Sequence, residues 1–336
     1  MKNIVLGILT AVVFVLIGWL FNDLYRSNLN ITPSPISAIK ARPLERYAIE
    51  NLSQVLAPSV EIKIDETLEE ESDFTSYLIS FSFDPTFSGK KEKKVTGLLN
   101  VPAGKGPFPL VVLFRGYVDQ KQYQTGMGTQ KVGEFLAKNG FITIAPDFLG
   151  YGGSDSEAEN IFESRFQTYT TALALLKSLD HSISQPFDFS SVSIWGHSNG
   201  GQIALTILEI TGENYPTVLW APVSKPFPFS ILAYTDESDD HGRLIRRELS
   251  KFEEDYDVEI FSLANYFDRI KAPIQLNQGT NDNAVPFYWS DSLAKILEEN
   301  GNDITYIKYP GADHNLQPAW NQAVLTNLSF FNKMSK

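Results

Sequence analysis

The chain has 336 residues, of which 43% are hydrophobic and 20% are charged, and its formal net charge at pH 7 is -12. This is the composition of a globular protein, long enough to bury a large core without disulfides or structural metals. It contains no cysteine, which excludes thiolate zinc sites and a cysteine nucleophile. The acidic balance argues against nucleic acid as a partner, because phosphate binding requires clustered lysine and arginine.

The N-terminal segment differs from the rest of the chain. Residues 4–21 are uncharged and mostly apolar, and as a helix they would extend about 27 Å, which nearly spans a bilayer. Lys2 precedes this run, so the positive-inside rule places the N-terminus in the cytoplasm and the rest of the chain outside. We therefore expect residues 1–22 to be a transmembrane anchor. A cleaved signal peptide, with Ala38 near the first plausible cleavage site, and a buried core helix are the alternatives.

The segment that follows is rich in proline, serine and asparagine. This composition is typical of a linker, so we expect residues 23–44 to form a flexible stalk. The remainder, residues 45–336, is then the folded domain.

Short apolar or alternating segments in this domain predict β-strands, and segments with helical periodicity lie between most of them. The predicted strands are 59–64, 76–83, 95–101, 110–114, 141–145, 192–195, 217–220, 273–277 and 304–308. The predicted helices are 129–138, 162–180, 200–210, 287–299 and 316–332. The first three strands come before any helix and predict an antiparallel start. The later alternation predicts an α/β fold, with a mostly parallel sheet covered by helices on both faces.

One interval, at about 224–270, lacks any strand signal. Such long insertions in α/β domains are usually lids or binding elements, and a solvated helical pair is the alternative. Its aromatic residues Phe227 and Phe229, with Trp220 at the end of the preceding strand, are expected to line an apolar substrate pocket. The two phenylalanines could equally be the core of a lid.

The most specific local motif is Gly196-His197-Ser198-Asn199-Gly200, which follows a predicted strand and precedes a predicted helix. A serine on a sharp strand-to-helix turn needs residues without side chains two positions before and two after it. Both glycines meet this requirement. Ser198 is therefore predicted to be a nucleophile.

A serine hydroxyl requires a base, and the base requires an orienting acid. His314 follows the last predicted strand, whereas His241 lies inside the irregular insertion. Asp282 follows the predicted strand 273–277, where it would reach the same edge of the sheet. The chain order thus predicts His314 as the base and Asp282 as the acid.

An oxyanion hole requires two preset donors. The backbone N–H of Asn199, next to the nucleophile, is one candidate. The second is expected from the backbone of Gly116 and Tyr117, which follow the predicted strand 110–114, or from the Tyr117 hydroxyl.

Together, the segments GHSNGG, GTNDNAVP and GADHNL, at residues 196–201, 279–286 and 311–316, resemble the prolyl oligopeptidase family and its dienelactone hydrolase-like relatives. The resemblance extends from about residue 59 to the C-terminus and implies the α/β-hydrolase fold. It also implies a serine hydrolase that needs no metal or organic cofactor. Because fewer than 50 residues separate the predicted stalk from the first strands, we expect no room for the propeller domain of typical family peptidases. Arg115 stands where many relatives have histidine.

These observations predict a serine hydrolase that cleaves a peptide or ester bond through an acyl-enzyme, in the manner of a prolyl oligopeptidase-like peptidase. A carboxylesterase or acyltransferase acting on small apolar esters is the alternative, and a non-catalytic binding module is a further one. Its partners would be a small ester or peptide substrate and, through the N-terminal helix, a membrane.

Overall fold

The computed structural model describes residues 40–182, 187–235 and 240–336. The predicted anchor at 1–22 and most of the predicted stalk at 23–44 lie outside these ranges. Within them, no helix is both long enough and apolar enough to cross a membrane.

The central feature of the described residues is a nine-stranded sheet in the order β1-β2-β3-β5-β4-β6-β7-β8-β9. Neighbours from β1 to β5 along this order pair antiparallel, and the remaining pairs are parallel. The strands are β1 Lys63–Glu70, β2 Phe74–Phe83, β3 Lys93–Pro102, β4 Phe108–Phe114, β5 Ile142–Pro146, β6 Phe187–His197, β7 Thr217–Trp220, β8 Ile274–Gly279 and β9 Ile304–Tyr309. The predicted fold class, including the antiparallel start, is confirmed.

Helices follow most of the parallel strands. Their bounds are α1 Ile49–Ser53, α2 Gln130–Lys138, α3 Ile161–Ser182, α4 Asn199–Thr211, α5 Phe229–Leu232, α6 Arg243–Glu253, α7 Phe287–Glu299 and α8 Trp320–Met334. Short 3-10 turns lie at Pro43–Tyr47, Val258–Phe261, Leu263–Asn265 and Phe267–Arg269.

The sheet separates two hydrophobic clusters. Successive side chains of a strand point to opposite faces, and β6 and β7 follow this rule. Ile194 and Leu219 belong to the larger cluster, whereas Trp195 and Val218 belong to the smaller one, which also holds residues of α2 and α8. Strands that are buried on both faces appear as continuous apolar runs in a sequence, which is why the central strands could be recognised.

The insertion between β7 and β8 contains α5, α6 and the last three 3-10 turns. Phe227, near its start, is 3% exposed. Its ring packs against Phe162 and Phe166 of α3 and against Phe252 and Phe261 of the insertion, at centroid distances between 5.7 and 6.4 Å. This aromatic cluster joins the insertion to the core of the domain.

The first strand is placed differently from the prediction. The segment 59–64 is largely non-strand, and β1 instead covers Lys63–Glu70, where every residue is exposed. It forms one edge of the sheet and pairs with β2 through two irregularities in register. Because neither face of β1 is buried, its sequence has no alternating apolar pattern that could have marked it.

Candidate active site

Ser198 lies at the turn between β6 and α4 in a conformation that residues with side chains rarely adopt, with φ 55° and ψ -118°. Its backbone N–H donates to the carbonyl oxygen of Trp220, at 2.9 Å. A Cβ atom on Gly196 would approach the carbonyl oxygen of Gly200 to 2.6 Å, and one on Gly200 would collide with the carbonyl oxygen of Phe114. Both glycines are therefore required for the chain to turn here, and the turn presents the serine at the carboxyl end of the sheet.

Asp282 and His314 meet in the loops that follow β8 and β9. His314 Nδ1 lies 2.9 Å from Asp282 Oδ2. The other carboxylate oxygen accepts the backbone N–H groups of Ala284 and Val285, at 2.9 and 2.8 Å. Since a carboxylate can only accept, His314 donates its Nδ1 proton, which leaves Nε2 as the free acceptor.

The carboxyl of Asp282 is held in its charged form. Burial alone would raise its pKa, but the hydrogen bonds from His314 and from the backbone of Val285 and Ala284 outweigh burial and lower the pKa below its ordinary value. Gln278, fully buried at the end of β8, donates from Nε2 to the same carboxylate at 2.9 Å. The hydroxyl of Ser290 in turn donates to Gln278 Oε1, at 2.7 Å. These contacts therefore fix the orientation of the carboxylate that accepts from the His314 imidazole.

His197, the residue before Ser198, contacts His314 directly. The two rings have centroids 4.6 Å apart, and His197 Nε2 lies 3.0 Å from the carbonyl oxygen of His314. A carbonyl can only accept, so His197 is the donor. Burial and the nearby charge of His314 lower the pKa of His197 to about 4, so it is neutral at pH 7. This contact ties the histidine loop to the residue beside the serine.

The candidate oxyanion donors surround Ser198. Asn199 is the first residue of α4, where backbone N–H groups have no partner within the helix. Gly116 is so close that a Cβ atom there would lie 3.1 Å from the Cβ of Ser198. Tyr117 follows it, with 79% of its surface exposed. The backbone at Gly116 thus lies beside the serine, whereas the Tyr117 side chain extends into solvent.

Arg115 holds this loop in place through its guanidinium. Its guanidinium lies over the ring of Tyr151, at 3.8 Å from the centroid, and near the ring of Tyr123, at 4.7 Å. It donates to the carbonyl oxygens of Gly116 and Asp147, each at 3.0 Å. Arg115 therefore links the loop over the serine to the turn after β5.

Two cavities lie near the serine. One, of about 160 Å³, is lined by Tyr117, Asn199 and residues of α3. The other, of about 540 Å³, lies on the side of α2 and α8 and is lined by His197 and Trp220.

The aromatic residues that the sequence suggested for a substrate pocket are spread over three places. Trp220 is 3% exposed, and its indole N–H donates to Asn327 Oδ1, at 2.7 Å. Phe227 belongs to the aromatic cluster of the core. Phe229 is 51% exposed and packs against Trp289, at a centroid distance of 5.9 Å. Neither phenylalanine lines either of the two cavities.

Sequence reasoning missed the contacts of His197, Gln278 and Arg115. His197 and Arg115 each reach a residue that is distant in the chain, at separations of 117 and 32 residues, whereas Gln278 contacts Asp282 only four residues away. The residue order carries no signal for the His197 and Gln278 contacts. For Arg115, the one indication in the sequence was that it stands where many relatives have histidine. In the described part of the chain, no group of three or more His, Asp or Glu side chains could hold a metal ion.

Two models of known families match this chain. The model of the prolyl oligopeptidase family matches residues 129–336. A second model, that of the acetyl xylan esterase family, matches residues 50–171. The two matches together span the sheet and every residue of the site.

Individual relatives are distant. A curated relative, dipeptidyl peptidase family member 6 of Caenorhabditis elegans, is 22% identical over 224 residues, which cover 64% of this chain but 29% of the relative. The chain therefore spans less than a third of that relative's length.

Among solved structures, acetyl xylan esterase 1 from Thermoanaerobacterium has a TM-score of 0.60 at 17% identity, with 88% of this chain and 94% of that chain covered. A puromycin-hydrolysing peptidase from Mycobacterium tuberculosis has a TM-score of 0.56 at 17% identity, with 82% and 45% covered. Both share the fold.

Proposed function

The chain belongs to the prolyl oligopeptidase family and is a serine hydrolase, and from this premise we propose that it hydrolyses small carboxylic esters through an acyl-enzyme formed on Ser198. The observation that carries the proposal is the hydrogen-bonded pair of His314 and Asp282, which leaves His314 Nε2 free as a base. The strained turn at Ser198 supports its role as the nucleophile.

In the first step, His314 Nε2 accepts the hydroxyl proton of Ser198 as Oγ attacks the ester carbonyl carbon. The imidazolium that forms is stabilised by the ionised Asp282, to which its Nδ1–H remains bonded. Charge develops on the carbonyl oxygen, and the backbone N–H groups of Asn199 and Tyr117 are the proposed donors to it. Such donors typically lower the barrier by about 3–4 kcal/mol each.

The tetrahedral intermediate then collapses. His314 gives its proton to the leaving alcohol, and the acyl group remains on Ser198. Water then attacks the acyl carbonyl carbon while His314 accepts one of its protons. The bond between that carbon and Oγ breaks, His314 returns the proton to Oγ, and the acid is released. His197 acts as a positioning residue in this scheme, since it holds the backbone of His314.

Two observations favour esters over peptides. The acetyl xylan esterase family model matches residues 50–171, which include the loop at Gly116 and Tyr117 beside Ser198. The cavity beside the proposed oxyanion donors is small, at about 160 Å³. Peptide hydrolysis is the second candidate, and the match to the prolyl oligopeptidase family favours it.

The test combines covalent labelling with two substrate panels. A fluorophosphonate probe should label the wild type and Ser292→Ala, which alters a partly exposed serine of α7, but not Ser198→Ala. The p-nitrophenyl esters of short acids should be cleaved faster than peptide p-nitroanilides, and Ser198→Ala should lose at least about a thousandfold in kcat. Faster cleavage of the peptides would make the protein a peptidase. A folded but unlabelled wild type would contradict hydrolase activity at Ser198.

A further inference from the structure

The small cavity beside the proposed oxyanion donors is positively charged, although the protein as a whole has a net charge of -12. Its lining includes Tyr117 and Asn199, and its charged side chains are Arg115, Arg165 and Glu157. Two cations and one anion thus face a space that begins where the carbonyl of a substrate would be held.

Arg165, on α3, has no carboxylate partner among the described residues. Its Nη2 donates to Gln202 Oε1, at 2.5 Å, and this amide is neutral. Its Nε is buried and has no hydrogen-bond partner in the described part of the chain. A half-buried guanidinium without an anion has lost part of its hydration without gaining an ion pair in return.

The position of Arg165 is fixed relative to the serine. Gln202 is 2% exposed and lies one helical turn after Ser198, whose carbonyl oxygen accepts its backbone N–H at 3.3 Å. The side-chain amide of Gln202 also donates to the hydroxyl of Tyr169, at 3.2 Å. A buried amide on the helix of the nucleophile therefore holds the guanidinium in place.

The other two charged groups are less available to a ligand. Arg115 shares with Arg165 a buried Nε without a hydrogen-bond partner among the described residues, but it is only 6% exposed, is stacked on aromatic rings, and has both end nitrogens bonded to carbonyl oxygens. The carboxylate of Glu157 accepts hydrogen bonds from Gln120 Nε2, at 2.8 Å, and from the hydroxyl of Ser164. Arg165, which is partly exposed, is therefore the more accessible of the two lining cations.

We propose that Arg165 binds a carboxylate on the acyl part of the substrate, so that the preferred substrates are monoesters of short dicarboxylic acids or the equivalent acidic acyl groups. This inference rests on the proposed hydrolysis at Ser198. The leaving group must face His314, which protonates it, and His314 does not line this cavity. The group that enters the cavity is therefore the one that stays on the acyl carbon.

The same chemistry could come from a peptide with glutamate before the scissile bond. Two substrate pairs separate the sources, each matched in shape and differing in charge. The ester pair is monomethyl succinate and methyl levulinate, in which a methyl ketone replaces the carboxylate. The amide pair is glutamyl p-nitroanilide and its glutaminyl counterpart.

The experiment measures kcat/KM for each pair with the wild type, Arg165→Gln, Arg165→Lys and Lys333→Gln. The charge preference is the ratio of kcat/KM for the charged member to that for the neutral member, and it does not depend on the fraction of active protein. Lys333→Gln is the matched control, because it removes one positive charge at an exposed position in the last turn of α8, and Lys333 lines neither cavity.

We expect the wild type to prefer the charged member of one pair by about 10- to 100-fold, which corresponds to one charge-assisted hydrogen bond. Arg165→Gln should lower this preference at least tenfold, Arg165→Lys should retain part of it, and Lys333→Gln should leave it within about twofold. A wild type that cleaves the neutral ester equally well would overturn the carboxylate site and leave the esterase proposal intact. An equal loss of preference in Lys333→Gln would assign the effect to net charge and also overturn the site.

Binding is tested separately from catalysis. Calorimetric titration of monomethyl succinate into Ser198→Ala should give a dissociation constant at least tenfold lower than titration into the double variant Ser198→Ala, Arg165→Gln. Equal constants would overturn the proposal even if no substrate were turned over.

Discussion

Glu209 provides a quantitative test of the energetics of the core. It lies on α4, the helix that begins after Ser198, and is 1% exposed. Neither carboxyl oxygen has a hydrogen-bond partner among the described residues. Burial raises its pKa well above the ordinary value, and the charge of Arg269 offsets only part of this effect. The folded protein therefore keeps this carboxyl protonated at pH values where the unfolded chain ionises it.

The consequence for stability follows from proton linkage. Above a pH of about 4.3, the ordinary pKa of glutamate, the unfolded state releases this proton and the folded state retains it. Each further pH unit therefore lowers the free energy of unfolding by about 1.4 kcal/mol, until the folded pKa is reached. By pH 7 the accumulated penalty is at most about 4 kcal/mol. Glu209→Gln cannot ionise and should escape it.

The assay is urea unfolding of the wild type and Glu209→Gln, followed by tryptophan fluorescence between pH 4.5 and 7.5. The stability of Glu209→Gln relative to the wild type should rise with pH across this range. Glu213→Gln makes the same chemical change at an exposed position just after α4 and should run parallel to the wild type. If Glu209→Gln also ran parallel to the wild type, the carboxyl would have an unrecognised partner and the reasoning would be refuted.

Three further predictions concern His197, Phe227 and Arg115. The pKa of His197 falls to about 4 in the folded state, so between pH 6.5 and 4 the unfolded chain binds a proton that the folded chain does not. The free energy of unfolding should therefore drop by about 2–3 kcal/mol as the pH falls through this window. His197→Gln should remove that part of the pH dependence, measured by urea unfolding. Phe227→Ala should lower the free energy of unfolding by about 3–5 kcal/mol, because the ring is buried in the aromatic cluster. An unchanged free energy of unfolding with a raised KM would instead place the ring in a substrate pocket. Arg115→Lys loses the planar stacking on Tyr151 and cannot reproduce both carbonyl contacts. The kcat for p-nitrophenyl esters should therefore fall about tenfold, with KM changed by less than about twofold. A change in KM with kcat unaltered would contradict the role of Arg115 in positioning the oxyanion loop.

Much of the fold could be predicted because burial leaves a pattern in the sequence. The central strands β4 to β8 are buried on both faces and appear as apolar runs, and the helices between them have a clear period. The bounds of β7 and α7 match the predicted 217–220 and 287–299 at both ends. β1 was placed too early, because an exposed edge strand has no periodic signal.

Some contacts of the candidate site could also be predicted from the sequence, and others could not. The contact of Asp282 with His314 could be expected, since both follow parallel strands whose carboxyl ends meet at one edge of the sheet. Their catalytic roles, and that of Ser198, remain predictions for the labelling experiment. The supporting contacts could not be expected, because His197 reaches across 117 residues and Arg165 across 37. Pairings at such distances depend on how helices and loops pack against the sheet.

The exposed edge strand β1 affects self-association of the domain through its sheet. An open edge offers unpaired backbone groups to any other strand, and in many proteins it becomes a point of aggregation. Here the edge carries Asp65, Glu66, Glu69 and Glu70, all exposed. A second chain adding the same strand would bring these carboxylates within roughly 5 Å of one another. The acidic edge therefore opposes self-association by strand addition.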